Sequence, residues 1–213
     1  YGENMNDDYE MRRFPVTVRG LRRLDAILDA AAYEFAEVGY GAATTNAIAK
    51  RAHSSIGSLY QFFPNKQAIL SALSERYLNQ LGALNDSLFT VQRIRTLSLP
   101  SLMEQVVDTF ADYCLREPGF EYIFYGSEAR DYLRSVSQRI HSEIVSQVEH
   151  VLERHVSHLL QEERNIVANL TVAAMQATMP FVIVAHAARQ IAIIAHLKLM
   201  ITTYLQTVAQ SAA

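Results

Sequence analysis

Between Thr44 and Pro64 the chain starts a helix twice and is made to stop once. Thr44 is a good N-cap for Thr45-Asn46-Ala47-Ile48-Ala49-Lys50-Arg51-Ala52, in which Ile48 and Ala52 share a face. Hydroxyls return at Ser54 and Ser55, and the segment they open closes at Pro64, because proline disfavours helix in the residue before it. Two short helices joined by a tight turn follow from this spacing. Their inward positions, Ile48, Ala52, Leu59 and Phe63, can pack on the preceding segment. There Leu24, Ile27, Leu28, Ala31 and Phe35 fall at the three- and four-residue spacings of one helix face, from Arg22 to a stop at Gly39.

Downstream the helical pattern continues. Asn65 can cap a fourth helix from Lys66 to about Val91, and others are expected at roughly 99–116, 119–126, 127–161, 163–187 and 189–210. Val136, Ile140, Ile144, Val148, Val151, His155 and Leu159 lie on one stripe of the 127–161 helix. No run alternates apolar and polar residues between turn signals, and 213 residues contain only 8 Gly and 5 Pro, so few turns are forced. The expected fold is all-α with about nine helices.

Net charge is −3, which argues against a chain that coats nucleic acid everywhere, but the distribution is uneven. From Met11 to Lys66 eight basic residues (Arg12, Arg13, Arg19, Arg22, Arg23, Lys50, Arg51, Lys66) stand against four acids (Asp25, Asp29, Glu34, Glu37). A basic module on an acidic body suits local contact with phosphates. Residues 1–19 begin acidic and turn basic without an apolar period, and are read as a flexible arm. A single cysteine, Cys114, leaves no disulfide within the chain, and no signal-peptide pattern opens it, so the expected compartment is the cytoplasm.

A helix-turn-helix needs one short helix crossing the backbone, a tight turn, and a second helix whose outer residues can approach base edges. The 44–63 stretch meets these demands, with Ser54, Ser55, Gly57, Ser58, Tyr60 and Gln61 facing out. Hydroxyls can donate to phosphates, Gln61 offers donor and acceptor to a base edge, and Gly57 lets backbone come close. Ile56 or Phe62 suits a thymine methyl. Thr44, Thr45 and Lys66 bring backbone N–H groups at helix N-termini, where phosphate is well received.

The run RLDAILDAAAYEFAEVGYGAATTNAIAKRAHSSIGSLYQFFPNKQAIL resembles the N-terminal domain of the TetR family of transcriptional regulators over its whole length. FAEVGY closing the first helix, TTNAIAKRA as the second, and SSIGSLYQFFPNK as recognition helix and entry to the fourth carry the resemblance. It implies a DNA-binding domain over 20–66 and an effector-binding and dimerisation domain over 67–213. It further implies DNA contacts from Thr44, Thr45 and Asn46, from Ser54, Ser55, Ile56, Gly57 and Ser58, and from Tyr60, Gln61 and Lys66. The departure is His53, where the family usually has glycine. Histidine tolerates a left-handed backbone better than most residues, at some strain.

No motif marks the C-terminal body. Asn165 to Ala188 holds no charged residue, and the helix after Arg189 is apolar nearly all round, so both must bury more than one side. The resemblance implies that these last two helices pair with their counterparts in a second subunit. A membrane span is the alternative, interrupted here by Asn165, Asn169, Gln176, Pro180 and His186, the proline predicting a kink. For an apolar or aromatic effector the candidate lining is Met103, Phe110, Tyr113, Phe120, Tyr122, Phe124, Met175 and Met179. His155 and His158 lack the third ligand of a metal site, and no catalytic order or cofactor loop is seen. No enzyme activity and no cofactor are expected. The expected function is a repressor that binds a palindromic double-stranded operator as a homodimer and is released by effector. The alternatives are an activator or effector-independent DNA binder, and a helical lipid-binding or membrane-associated protein.

Overall fold

A computed structural model describes residues 11, 12, 14–120 and 130–211, and among these the regular structure is nine helices. They are α1 (Val18–Ala42), α2 (Thr45–Arg51), α3 (Ile56–Phe62), α4 (Lys66–Leu88), α5 (Val91–Thr96), α6 (Leu99–Arg116), α7 (Arg130–His155), α8 (Gln161–Ile183) and α9 (Ala187–Gln210). Five begin on a hydroxyl: Thr17, Thr44, Ser55, Thr90 and Ser98 each accept from the backbone N–H three residues on. Asn65 does the same for α4, accepting from Ala68 at 2.9 Å.

The all-α expectation holds, and several boundaries differ. α1 begins at Val18, four residues before the apolar period, because Thr17 caps it. α4 stops at Leu88, and the six residues of α5 follow as a separate helix that had not been expected. α7 ends at His155, six residues early, and α8 continues through Pro180 to Ile183. The helix expected at 119–126 lies almost wholly outside the described residues.

The chain divides into two compact units. The first lies within Tyr1–Gln80 and Pro118–Ser135, the second within Leu81–Glu117 and Val136–Ala213. In the first, Ile27, Leu28, Phe35, Ile48, Leu59, Phe63, Ile69, Leu73 and Tyr77 form the buried centre. The segment Pro118-Gly119-Phe120 closes on it: Tyr77 donates its hydroxyl to the Pro118 carbonyl, and Phe120 stands edge-on to the Tyr77 ring at 5.8 Å. Gly119 is required there. Its φ is +74°, and a Cβ would lie 2.6 Å from the Ala32 carbonyl oxygen.

In the second unit α9 packs on α6 and α8, and Lys198 pairs with Asp108 at 2.5 Å. Ile144, Val148 and Val151 are buried as the α7 stripe requires. His155 is half-buried with Nε2 2.9 Å from the Ile94 carbonyl, and Leu159 sits in the turn beyond the helix. His141 lies between two amides, its Nδ1 3.0 Å from Gln176 Oε1 and its Nε2 3.3 Å from Asn169 Oδ1. Burial pushes the Cys114 thiol up to about 12, so it stays protonated at neutral pH. By length and composition α8 and α9 could each cross a membrane. Both leave large apolar side chains exposed: Ile166, Leu170 and Phe181 on α8 with Val184 just past its end, and Ile191, Leu199 and Met200 on α9.

Candidate nucleic-acid interface

The turn between α2 and α3 sets how the second helix leaves the first. His53 takes φ +49°, its N–H donates to Lys50 and the Ser54 N–H reaches back to Ala49, at 3.1 and 2.9 Å. These two bonds are the Schellman closure of a helix, which needs a left-handed residue at the His53 position. The turn survives without glycine, as expected.

From that turn α3 presents two sides. Leu59 and Phe63 are fully buried, and Phe62 joins them at 7% exposure, which removes it as a candidate for a thymine methyl. Ser55, Ile56, Gly57, Tyr60 and Gln61 are exposed, and Ser58 is half-buried. A Cβ added at Gly57 would meet nothing within 4 Å, so nothing within the described protein requires a glycine there. A helical glycine costs about 0.5–1 kcal/mol relative to alanine.

Thr44 and Asn46 are exposed and Thr45 half-buried, and the Thr45 hydroxyl lies 3.2 Å from the Tyr60 hydroxyl, joining the start of α2 to the outer face of α3. Thr44 and Ser55 accept capping bonds through oxygen lone pairs, which leaves each O–H proton available to donate. Ser54 differs from expectation. Its Oγ is shielded from solvent and has no hydrogen-bond partner among the described residues, so this hydroxyl does not face out.

Two cations are engaged by partners within the chain. Gly39, at φ +77°, breaks α1 and turns the carbonyls that follow it toward the start of α4. The Lys66 ammonium donates to three of them, on Tyr40, Gly41 and Ala43, and sits 4.5 Å from the Tyr40 ring centroid. An ammonium has three N–H donors, so none is left for a phosphate; only the Lys66 backbone N–H remains for that purpose. Arg51 forms a two-pronged pair with Glu37 and reaches Glu34 at 3.3 Å. The hydrogen bond from Arg51 holds the Glu37 carboxyl below its ordinary value of 4.5 against a smaller opposing effect of burial. Lys50, Arg19 and Arg22 remain exposed. The partners of Lys66 and Arg51 are 14 to 26 residues away, beyond any local spacing.

The effector candidates fall in both units. Met103, Phe110, Met175 and Met179 are buried in the second unit, on α6 and α8, and Tyr113 is half-buried on α6. Phe120 belongs to the first, and Tyr122 and Phe124 lie outside the described residues. A cleft of about 600 Å³ in the second unit has a different lining, chiefly Val91, Ile94, Arg95, His150 and Arg154.

No curated protein matches the chain. The backbone resembles a TetR-family transcriptional regulator from Streptomyces coelicolor (24% identity, 89% of this chain and 99% of that one, TM-score 0.63). It also resembles the fatty acid degradation regulator FadR from Bacillus halodurans (15%, 89% and 96%, 0.61). A third likeness is SmeT, the repressor of the Stenotrophomonas maltophilia multidrug efflux pump SmeDEF (20%, 86% and 89%, 0.65). At such identities these show the fold. Two family descriptions cover most of the chain: bacterial regulatory proteins, tetR family, over 27–73, and tetracyclin repressor-like, C-terminal domain, over 98–205. With its capped helix-turn-helix, its all-helical body and both family regions in order, the chain belongs to the TetR family of bacterial regulatory proteins.

Proposed function

We propose that the protein is a repressor that binds a palindromic operator as a homodimer and is released by a small apolar or aromatic molecule. The observation that carries this reading is the outer side of α3, which pairs Gln61 and Tyr60 with an open Gly57 that the protein's own packing does not require. In this reading 20–66 read DNA and 67–213 bind effector and dimerise, while the arm expected over 1–19 is shortened by α1, which begins at Val18. Gln61 faces a base edge, and Ile56 a thymine methyl. Thr44, Thr45, Asn46, Ser55, Ser58 and Tyr60 contact phosphates. Ser54 positions the turn, and Lys66 offers its backbone N–H while its ammonium holds the end of α1.

The exposed stripes of α8 and α9 are the dimer face, because apolar area of that extent on neighbouring helices is rarely left in water. Met103, Phe110, Tyr113, Met175 and Met179 are the proposed effector lining in the second unit. A fatty acid degradation regulator and an efflux-pump repressor among the fold's members fit an apolar ligand. The protein works in the cytoplasm, where its operator is.

The test uses the promoter fragment beside the protein's own gene and a panel of apolar aromatic compounds. One compound should weaken operator binding, and the operator should weaken that compound's binding by the same factor, since coupling is reciprocal. A panel in which every bound compound leaves DNA affinity unchanged would remove release from the account.

A further inference from the structure

Phe14–Thr17, just before α1, pack into the first unit, and beside them positive charges stand near the end of α3. The Arg12 N–H donates to the Phe62 carbonyl at 2.8 Å, where α3 ends. Pro15 is buried. It lies so close to α1 that a Cβ on Gly20 would come within 2.7 Å of the Pro15 Cβ and 3.1 Å of the Thr17 hydroxyl oxygen. Thr17 then caps α1 by accepting from the Gly20 N–H at 3.1 Å. Glycine at 20 is thus what allows Phe14–Thr17 to lie down against α1 as a strap.

The strap, the first turns of α1 and the end of α3 enclose a cleft of about 440 Å³, whose lining includes Thr17, Arg19, Gly20, Arg23 and Gln61. Arg19 and Arg23 are four residues apart and so share a face of α1. Among the described residues no carboxylate is ion-paired with either, whereas Arg51 and Arg76 are each held by acids of α1. Asp25, exposed on α1, is the nearest acid in sequence. With Arg51 and Lys66 committed to partners within the chain, Arg19 and Arg23 join the exposed Lys50 and Arg22 as cations that no carboxylate pairs with among the described residues, and these two line the cleft that Gln61 shares.

Resting on the reading of α3 as the DNA-facing helix, we propose that Arg19 and Arg23 receive backbone phosphates of the operator just outside the base pairs that Gln61 reads, with the Phe14–Thr17 strap holding that site against α3. Phosphate suits the site because guanidinium forks match its oxygens, and two cations flanking an amide bind a backbone without reading sequence.

The test uses the full chain with its footprinted operator. Arg19→Gln with Arg23→Gln should lower the salt slope of binding by about two units. Hydroxyl-radical protection should vanish at the outer phosphates of each half-site, with base preference opposite Gln61 unchanged. Gly20→Ala, which displaces the strap, should reproduce the lost protection while circular dichroism and melting report a folded protein. If wild type binds its operator and the double arginine variant keeps both slope and outer protection, this inference is overturned and the role of α3 stands. If wild type binds no fragment specifically, the role of α3 and this inference fall together.

Discussion

The outer side of α3 and the exposed stripes of α8 and α9 are each a helix face turned from its own core, and they carry opposite chemistry. On α3 that face holds hydroxyls, an amide and a bare glycine; on α8 and α9 it holds Ile166, Leu170, Phe181, Leu199 and Met200. Water tolerates the first and is displaced at a gain from the second. A face of small hydrogen-bonding groups suits a surface that must be read and released, while a large apolar face suits one that stays covered. Under the proposed function the first meets a transient partner and the second a permanent one.

The largest effect that would break this contrast is at the permanent face. Replacing Leu170 and Phe181 together by Glu should convert the dimer to monomer in sedimentation at micromolar concentration. Operator affinity should fall by about 100-fold or more, because one recognition helix must then bind without its tethered twin. A variant that stays dimeric would place the subunit interface elsewhere. Next comes Gln61→Ala, expected to cost about 1–3 kcal/mol at one base pair per half-site and little at the others, measured on a set of single-substitution operators.

Lys66→Met sharpens the division between cations that hold the protein together and cations that hold DNA. Removing charge-assisted bonds to three carbonyls should lower stability by about 1–3 kcal/mol in thermal denaturation, with the salt slope of DNA binding unchanged. A slope reduced by about one unit would instead put the ammonium on a phosphate. Gly57→Ala should stabilise the free protein by about 0.5–1 kcal/mol and weaken operator binding, opposite signs that a purely structural glycine would not produce.

The smallest effect concerns Glu37. Its folded-state carboxyl is held below 4.5 by Arg51, so its contribution to stability is present above that value and lost as pH falls through the lowered one. Melting curves of wild type and Glu37→Gln should differ near pH 6 and converge as the pH falls below 4.5 and through the lowered value.

The first unit was legible because its boundaries are written in residue types: Gly39 breaks α1, Thr44 and Ser55 cap the next two helices, and Pro64 closes the second. The second unit was less so. α5 has six residues with Ile94 its buried one, too few for a period, although Thr90 and Ser98 mark its ends. α7 stops at His155 with neither glycine nor proline to announce it. At the interface the sequence showed which side chains could meet a phosphate, but not which were already occupied. Lys66, Arg51 and the covered Ser54 hydroxyl depend on contacts made only when distant segments fold together.

The most direct measurement is a footprint of the operator combined with the stoichiometry of the complex. The account predicts two chains on one palindrome, with protected major-groove bases in two half-sites roughly one helical turn, about 34 Å, apart or a multiple of it. A single chain bound to an asymmetric site, or no sequence-specific protection at low salt, would contradict it.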